Sequence, residues 1–269
     1  MNRDNILFVL QLGFTGVVCA FLVVPVGLSI LAGLTSNYFT GLSSGLTLRW
    51  LGEVWDGYRQ TLFLSIGLSL ACLAGTLLLG VPTAYLLARS HNRFSRAVEE
   101  LLVMPVAVPG LATALALIVT YGGLSGFRTS SAFILVGHVL FTLPFMVRSV
   151  LAVLSVIDLK TLEEGAASLG AGFRQRFFDI VLPNCRNGIL AGSLMVVTLS
   201  MGEFNMTWLL HTPLTKTLPV GLADAYASLR LEIGSAYTLM FFLMITPLLL
   251  GLQWLARPRR RAFAPSEEE

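Results

Sequence analysis

The sequence predicts an all-α membrane protein with about six transmembrane helices, and three observations lead there. Of its 269 residues, 55% are hydrophobic and only 12% charged, about half the charged share of an ordinary soluble domain. Several apolar stretches reach the roughly 20 residues that a helix needs to cross a hydrocarbon layer. Lys and Arg gather on alternate connections between those stretches, the pattern that insertion imposes on cytoplasmic loops.

The first span covers about 6–34. Its apolar run is longer than a secretory signal's roughly 7–15 residues and no small-residue cleavage site closes it, so it is expected to stay as a helix. An outer connection, 35–60, follows. There Trp50, Val54 and Tyr58 recur every four residues beside Trp55, which predicts a helix lying at headgroup level or a simple aromatic anchor. The second span covers about 61–88, the third 101–121 and the fourth 132–157. An inner connection, 158–187, leads to the fifth span at 188–210. The outer connection 211–235, with a short stripe of Leu222, Tyr226 and Leu229, precedes the sixth span at 236–256. Pro25, Pro82, Pro105, Pro109, Pro144 and Pro247 lie within or at the ends of spans. Each removes a backbone donor and can kink its helix. The whole chain, 1–269, reads as one transmembrane domain with a polar tail at 257–269.

With the N-terminus inside, the inner side collects Arg3, Arg89, Arg93, Arg96, Arg148, Lys160, Arg174, Arg176, Arg186, Arg257, Arg259, Arg260 and Arg261, which is 13 of the 18 basic residues. Only Arg49, Arg59, Arg128, Lys216 and Arg230 fall outside. Both termini are therefore expected in the cytoplasm. The pI near 8.9 needs no nucleic acid to explain it, since Arg259–Arg261 serve as a stop-transfer and lipid-headgroup cluster.

Catalytic motifs fail on geometry. Gly41-Leu-Ser43-Ser44-Gly45 has the spacing of a nucleophile elbow, which requires a strand-to-helix turn and downstream Asp and His partners; here it sits in a short outer loop. Gly75 to Gly80 has the outer spacing of a phosphate loop but continues with Val81-Pro82, where Lys and a hydroxyl residue are needed, and so reads as helix packing. Cys19, Cys72 and Cys185 are far apart and read as small buried side chains. His91, His138 and His211 lack metal-ligand spacing. No catalytic residue, metal site or bound cofactor is predicted, and any ATP-driven function requires a second polypeptide.

The inner connection holds the most informative run, Thr161-Leu-Glu-Glu164-Gly-Ala166-Ala167-Ser-Leu169-Gly170-Ala171, then Phe173 to Ile180 and Leu182-Pro183. Thr161 and Glu164 have capping-box spacing. Gly170, with Gly172 close behind, can take a positive φ and stop the helix. A second piece places Phe173, Phe177, Ile180 and Val181 on one face. The connection thus predicts two short helices turned by glycine.

This run resembles the EAA loop of bacterial binding-protein-dependent ABC importer permeases, in which Glu-Ala-Ala is followed by Gly and then Ile-x-Leu-Pro. The resemblance implies a cytoplasmic coupling-helix loop between helices 4 and 5, with Glu164, Ala166, Ala167, Leu169, Gly170, Ile180, Leu182 and Pro183 as the ATPase-coupling residues. Gly165 replaces the first Ala of the triplet, which weakens the helix by roughly 1 kcal/mol, and Asn187 stands where many members carry a further Pro. The resemblance covers nearly the whole chain and is closest to polyamine-type permeases, through Leu48-Arg-Trp50, Met104-Pro105, Leu143-Pro144-Phe145 and Leu199-Ser-Met201. It implies these partners: a second, distinct permease chain, two ATPase subunits that carry ATP and Mg, and a periplasmic or extracellular solute-binding protein. It places the chain in the inner membrane.

Charge within a bilayer is costly and marks function. Glu203 lies about 15 residues into the fifth span, roughly 22 Å deep at about 1.5 Å per residue. It is expected to face a water-filled pathway with Ser200, Asn205, Thr207 and Trp50; the competing reading pairs it with His138 or a helix end. Polyamine permeases of the resembling type carry two acidic residues after Ser-Met and a carboxylate after the Pro of the third span. Here those positions are Gly202-Glu203 and Val106, so an aminoalkylphosphonate or related small solute competes with a polyamine. An ion-gradient-driven secondary transporter is the alternative from another class. Such transporters show repeated halves with interrupted helices, and no internal repeat is visible.

Overall fold

A computed structural model describes residues 3–90 and 92–256. Its helices, in chain order, are α1 (Arg3–Ala32), α2 (Arg49–Arg89), α3 (Arg93–Ala107), α4 (Gly110–Tyr121), α5 (Ser125–Arg128), α6 (Ser131–Leu154), α7 (Leu159–Ser168), α8 (Phe173–Gln175), α9 (Leu182–Gly202), α10 (Asn205–Leu210), α11 (Leu218–Ala227) and α12 (Leu231–Ala256). A π-helical stretch, Arg176–Val181, joins α8 to α9. His91 and the tail that carries Arg257, Arg259, Arg260 and Arg261 lie outside the described residues.

Among the described residues, five helical stretches are long and apolar enough to cross a membrane: Leu7–Ala32, Arg49–Arg89, Ser131–Leu154, Phe173–Gly202 and Leu231–Trp254. The expected third span is instead a broken pair, α3 and α4, bent by 103°. Pro109 is the cause. It pushes the residue before it out of the helical region, and Val108 is extended with ψ 129°.

Contacts group the chain into two compact units, one of residues up to Ser65 with Thr212–Met244, the other of Ile66–His211 with the residues from Ile245. In the first, Val54 and Leu62 of α2 meet Leu218 and Ala225 of α11 and Ile233, Ala236 and Tyr237 of α12, with Trp50, Tyr58 and Leu222 packed around them. The Trp50, Val54, Tyr58 stripe is therefore a core face, and the expected headgroup-level helix is the N-terminal part of one 41-residue helix. Its apolar face finds protein to cover it, which removes the reason to lie flat. Leu229 does not belong to the second stripe: it takes φ 57° and is 82% exposed. At Gly33 the end of α1 runs so close to α12 that a Cβ would sit 2.7 Å from Ser235 and Ala236 backbone atoms. The rest of the apolar window of α1 is exposed.

In the second unit α6 packs along α9. Gly188 and Gly192 of α9 make this possible, because a Cβ there would lie 3.0 Å from Val150 Cα and 3.2 Å from Met146 Cα. Small residues at such a seam let backbones approach where lipid leaves no hydrophobic drive. Gly75 and Gly80 of α2 likewise face Val139 and Met146 of α6, so the run shaped like a phosphate loop is a packing surface. The Gly41 to Gly45 run forms a 3-10 turn with no strand before it. A second core gathers Leu68, Ala114, Leu117, Phe133, Ile134, Met206 and Leu210.

Candidate functional site

The connection 158–187 begins with α7, and its N-terminus corrects the expected capping box. Asp158, not Thr161, is the N-cap, and its carboxylate accepts the Thr161 amide at 3.2 Å. The helix starts early because Asp158 supplies the acceptor that the first turn lacks; the Thr161 hydroxyl and amide in turn hold this carboxyl below its ordinary range. Gly170 ends α7 with φ 85°. Ala171 N–H donates to Ala166 C=O at 3.0 Å and Gly170 N–H to Ala167 C=O at 2.9 Å, the paired bonds of a Schellman turn that only a residue at ease with positive φ completes.

The second helical piece is not separate. It runs from Phe173 through the π stretch into α9, forming the continuous span Phe173–Gly202. Pro183 explains the widening: it has no N–H to donate and crowds the carbonyl four residues before it. Asn184 Nδ2 donates to Ile180 C=O at 2.8 Å and satisfies one acceptor at the irregularity.

Along α7, Glu164 is exposed and pairs with Lys160 at 3.8 Å. Leu169, at the turn, is 89% exposed. Ala167, Gly170 and Pro183 are exposed, and Ala166, Ile180 and Leu182 are half-buried. The neighbouring Glu163, which the motif did not single out, is 4% exposed. Tyr85 Oη donates to its Oε1, Arg89 Nε lies 3.2 Å from its Oε2, and Arg89 Nη1 donates to Tyr85 Oη at 3.1 Å. Leu159, Glu163 and Ala166 at i, i+4 and i+7 share one helix face, and that spacing could have revealed Glu163 as the inward carboxylate. A cavity of about 940 Å³ opens beside it, lined among others by Arg89, Arg96, Arg148, Lys160 and Arg176.

The fifth span also breaks, α9 ending at Gly202 and α10 beginning at Asn205. Glu203 stands at the break. Its carboxylate accepts the Met206 and Thr207 amides, each at 3.0 Å, and the Thr207 hydroxyl at 2.9 Å, which caps the opening turn of α10. His138 of α6 is 1% exposed. Its Nδ1 lies 2.8 Å from Ser200 Oγ and its Nε2 2.8 Å from Thr207 Oγ1, with Nε2 4.0 Å from the Glu203 carboxylate. Thr207 has a single hydroxyl proton and gives it to Glu203, so it accepts from Nε2–H, and the bare Nδ1 accepts from Ser200. The structure thus brings Glu203, Ser200 and Thr207 together around His138 and leaves Asn205 exposed. Trp50 belongs to the first unit, where its indole N–H donates to Thr35 C=O at 2.9 Å.

Comparison with known proteins agrees with this architecture. Residues 77–261 match the family described as binding-protein-dependent transport system inner membrane component. The molybdenum transport system permease protein ModB of Escherichia coli K12 is 30% identical over 221 residues, covering 76% of this chain and 96% of ModB. The putrescine transport system permease protein PotI of the same organism is 26% identical over 220 residues, covering 79% and 76%. In fold, the chain resembles a chain from the crystal structure of a bacterial ABC transporter that imports the acidic polysaccharide alginate, with TM-score 0.70, 18% identity and 95% and 96% coverage. On the extent of the family match and the likeness to ModB, the chain belongs to the binding-protein-dependent transport system inner membrane components, the permease subunits of ABC importers.

Proposed function

We propose that this permease lines the path of a small anionic or zwitterionic solute and receives its driving force through the loop 158–187. Family membership removes the ion-gradient alternative. The observation that carries the coupling reading is the shape of the loop: a ten-residue helix capped by Asp158 and closed at Gly170, presenting Glu164 and Leu169 outward. A short rigid helix with an exposed Lys160–Glu164 pair and an apolar tip suits docking into a cleft of another subunit. On this reading the loop and both termini are cytoplasmic, and ATP and Mg are bound by two separate ATPase subunits. A second permease chain completes the pore, and an external binding protein delivers the solute.

The solute class follows from Glu203. Three donors of its own chain already hold its carboxylate, and Gly202 and Val106 stand at the other two positions where a polyamine permease has an acid. That leaves little negative charge for a dication and favours an oxyanion or an aminoalkylphosphonate; the likeness to a molybdenum system points the same way. A polyamine is the second reading, favoured by the likeness to a putrescine system.

Co-purification of the tagged chain from membranes tests the coupling. An ATPase should accompany the parent and be lost or uncoupled with Glu164→Arg; an ATPase that binds and works unchanged with the variant overturns the loop assignment. Uptake by vesicles holding the purified complex and its binding protein, with molybdate, 2-aminoethylphosphonate and putrescine compared, tests the solute. Uptake of putrescine alone overturns the anionic or zwitterionic reading.

A further inference from the structure

Resting on that coupling reading, we propose that Glu163, Tyr85 and Arg89 form the joint through which α7 moves the end of α2, with Glu163 as its positioning residue. The first support is burial. Acidic side chains are almost never buried unless paired, yet Glu163 is 4% exposed while Glu164, next to it, faces solvent. α7 therefore has one carboxylate for each side.

The second support is connectivity. Tyr85 and Arg89 lie one turn apart on α2 and engage different oxygens of Glu163, and Arg89 also donates to Tyr85 Oη. Three groups bonded pairwise fix both the position and the rotation of α7 against α2, which a single contact would not. The Tyr85 ring then packs edge-on against Phe177, centroids 5.3 Å apart, and lies 6.3 Å from Phe173. The joint therefore also touches the segment that continues into α9. The joint also borders the cavity of about 940 Å³, to whose lining Arg89 and Glu163 both contribute. A close-packed interior resists displacement; a helix held by a directional ionic joint beside open volume can swing and pull.

Hydrogen exchange of the purified complex, with its ATPase and binding protein, tests the proposal by comparing the nucleotide-free state with the ATP–vanadate state. In the parent, nucleotide should change exchange both in α7 and in α2 residues 82–89. With Glu163→Gln the ATPase should still co-purify and α7 should still respond, while the response of 82–89 falls about tenfold. The exchanged pair Glu163→Arg with Arg89→Glu should recover part of it, which ties the loss to the ion pair itself; a merely structural role would not silence α2 while α7 still responds. An undiminished α2 response in Glu163→Gln overturns the proposal and leaves the coupling reading standing. If Glu163→Gln sheds the ATPase, Tyr85→Phe decides, because it removes one donor and keeps the ion pair; a full α2 response there overturns the proposal as well. No ATPase with the parent overturns the coupling reading itself and the joint with it.

Discussion

Glu163 and Glu203 are two inward carboxylates held in opposite ways. Glu163 takes its donors from another helix, 74 and 78 residues away in sequence, and one of them is a guanidinium. Glu203 takes its donors from the next turn of its own chain, three and four residues on, and its long-range neighbour is a histidine bonded to two hydroxyls. A carboxylate that closes on its own backbone stabilises a local break. One that reaches across to a second helix ties two elements together. The first can exist without tertiary partners and the second cannot, so the same residue type serves as a cap in one place and a joint in the other.

The largest expected effect sharpens that difference. Glu163→Ala leaves the Tyr85 hydroxyl and the Arg89 guanidinium without their acceptor. Because the Arg89 side chain is 44% exposed, water recovers part of the loss. The expected cost is about 2 kcal/mol rather than the 3–5 typical of a fully buried pair. It should appear as earlier thermal labelling of the buried thiol Cys185 in detergent, with exposed Cys19 changed to Ser.

His138→Leu keeps the volume but removes the Ser200 and Thr207 contacts to the ring, leaving the Thr207 hydroxyl to Glu203 alone. Hydrogen bonds between membrane helices contribute modestly, so about 1.5 kcal/mol is expected in the same assay. Glu203, still capping α10, should hold the break, and hydrogen exchange at Met206 and Thr207 should rise little. A large rise there would show that the cap depends on His138 and would erase the contrast. Tyr85→Phe should cost about 1 kcal/mol, one buried hydrogen bond.

The smallest effect is Asp158→Ala, a cap at the surface, visible only as faster exchange of the Thr161 amide. Its pH dependence has a definite sign. The folded carboxyl titrates below its ordinary value, so the unfolded state binds more protons in that range. The contribution of the cap is therefore complete above the unfolded value near about 4 and is lost as pH falls through the lower folded one. Exchange at Thr161 should be unaffected by this group between about pH 6 and 8.

Much of the molecule was legible in the chain. Long apolar runs with few charges located the spans, and Gly170 marked the loop turn, because both follow from local chemistry: the length a bilayer needs and the positive φ only glycine takes easily. Pro109 was seen as a kink, but the 103° break was not, since the angle depends on what each half packs against. The Trp50 stripe was read as facing lipid where it packs on protein, for the same reason; an amphipathic face does not say whether lipid or protein will cover it.

The sequence by itself determined the order of the apolar stretches and the short glycine-turned helix between the fourth and fifth, since each rests on residues within a few turns of one another. Only the tertiary structure decided which of two adjacent glutamates turns inward and which side chain from another helix lies beside Glu203. Both outcomes depend on groups brought to the carboxylate by packing: His138 for Glu203, and for Glu163 donors that sit 74 and 78 positions away, beyond the reach of any local pattern.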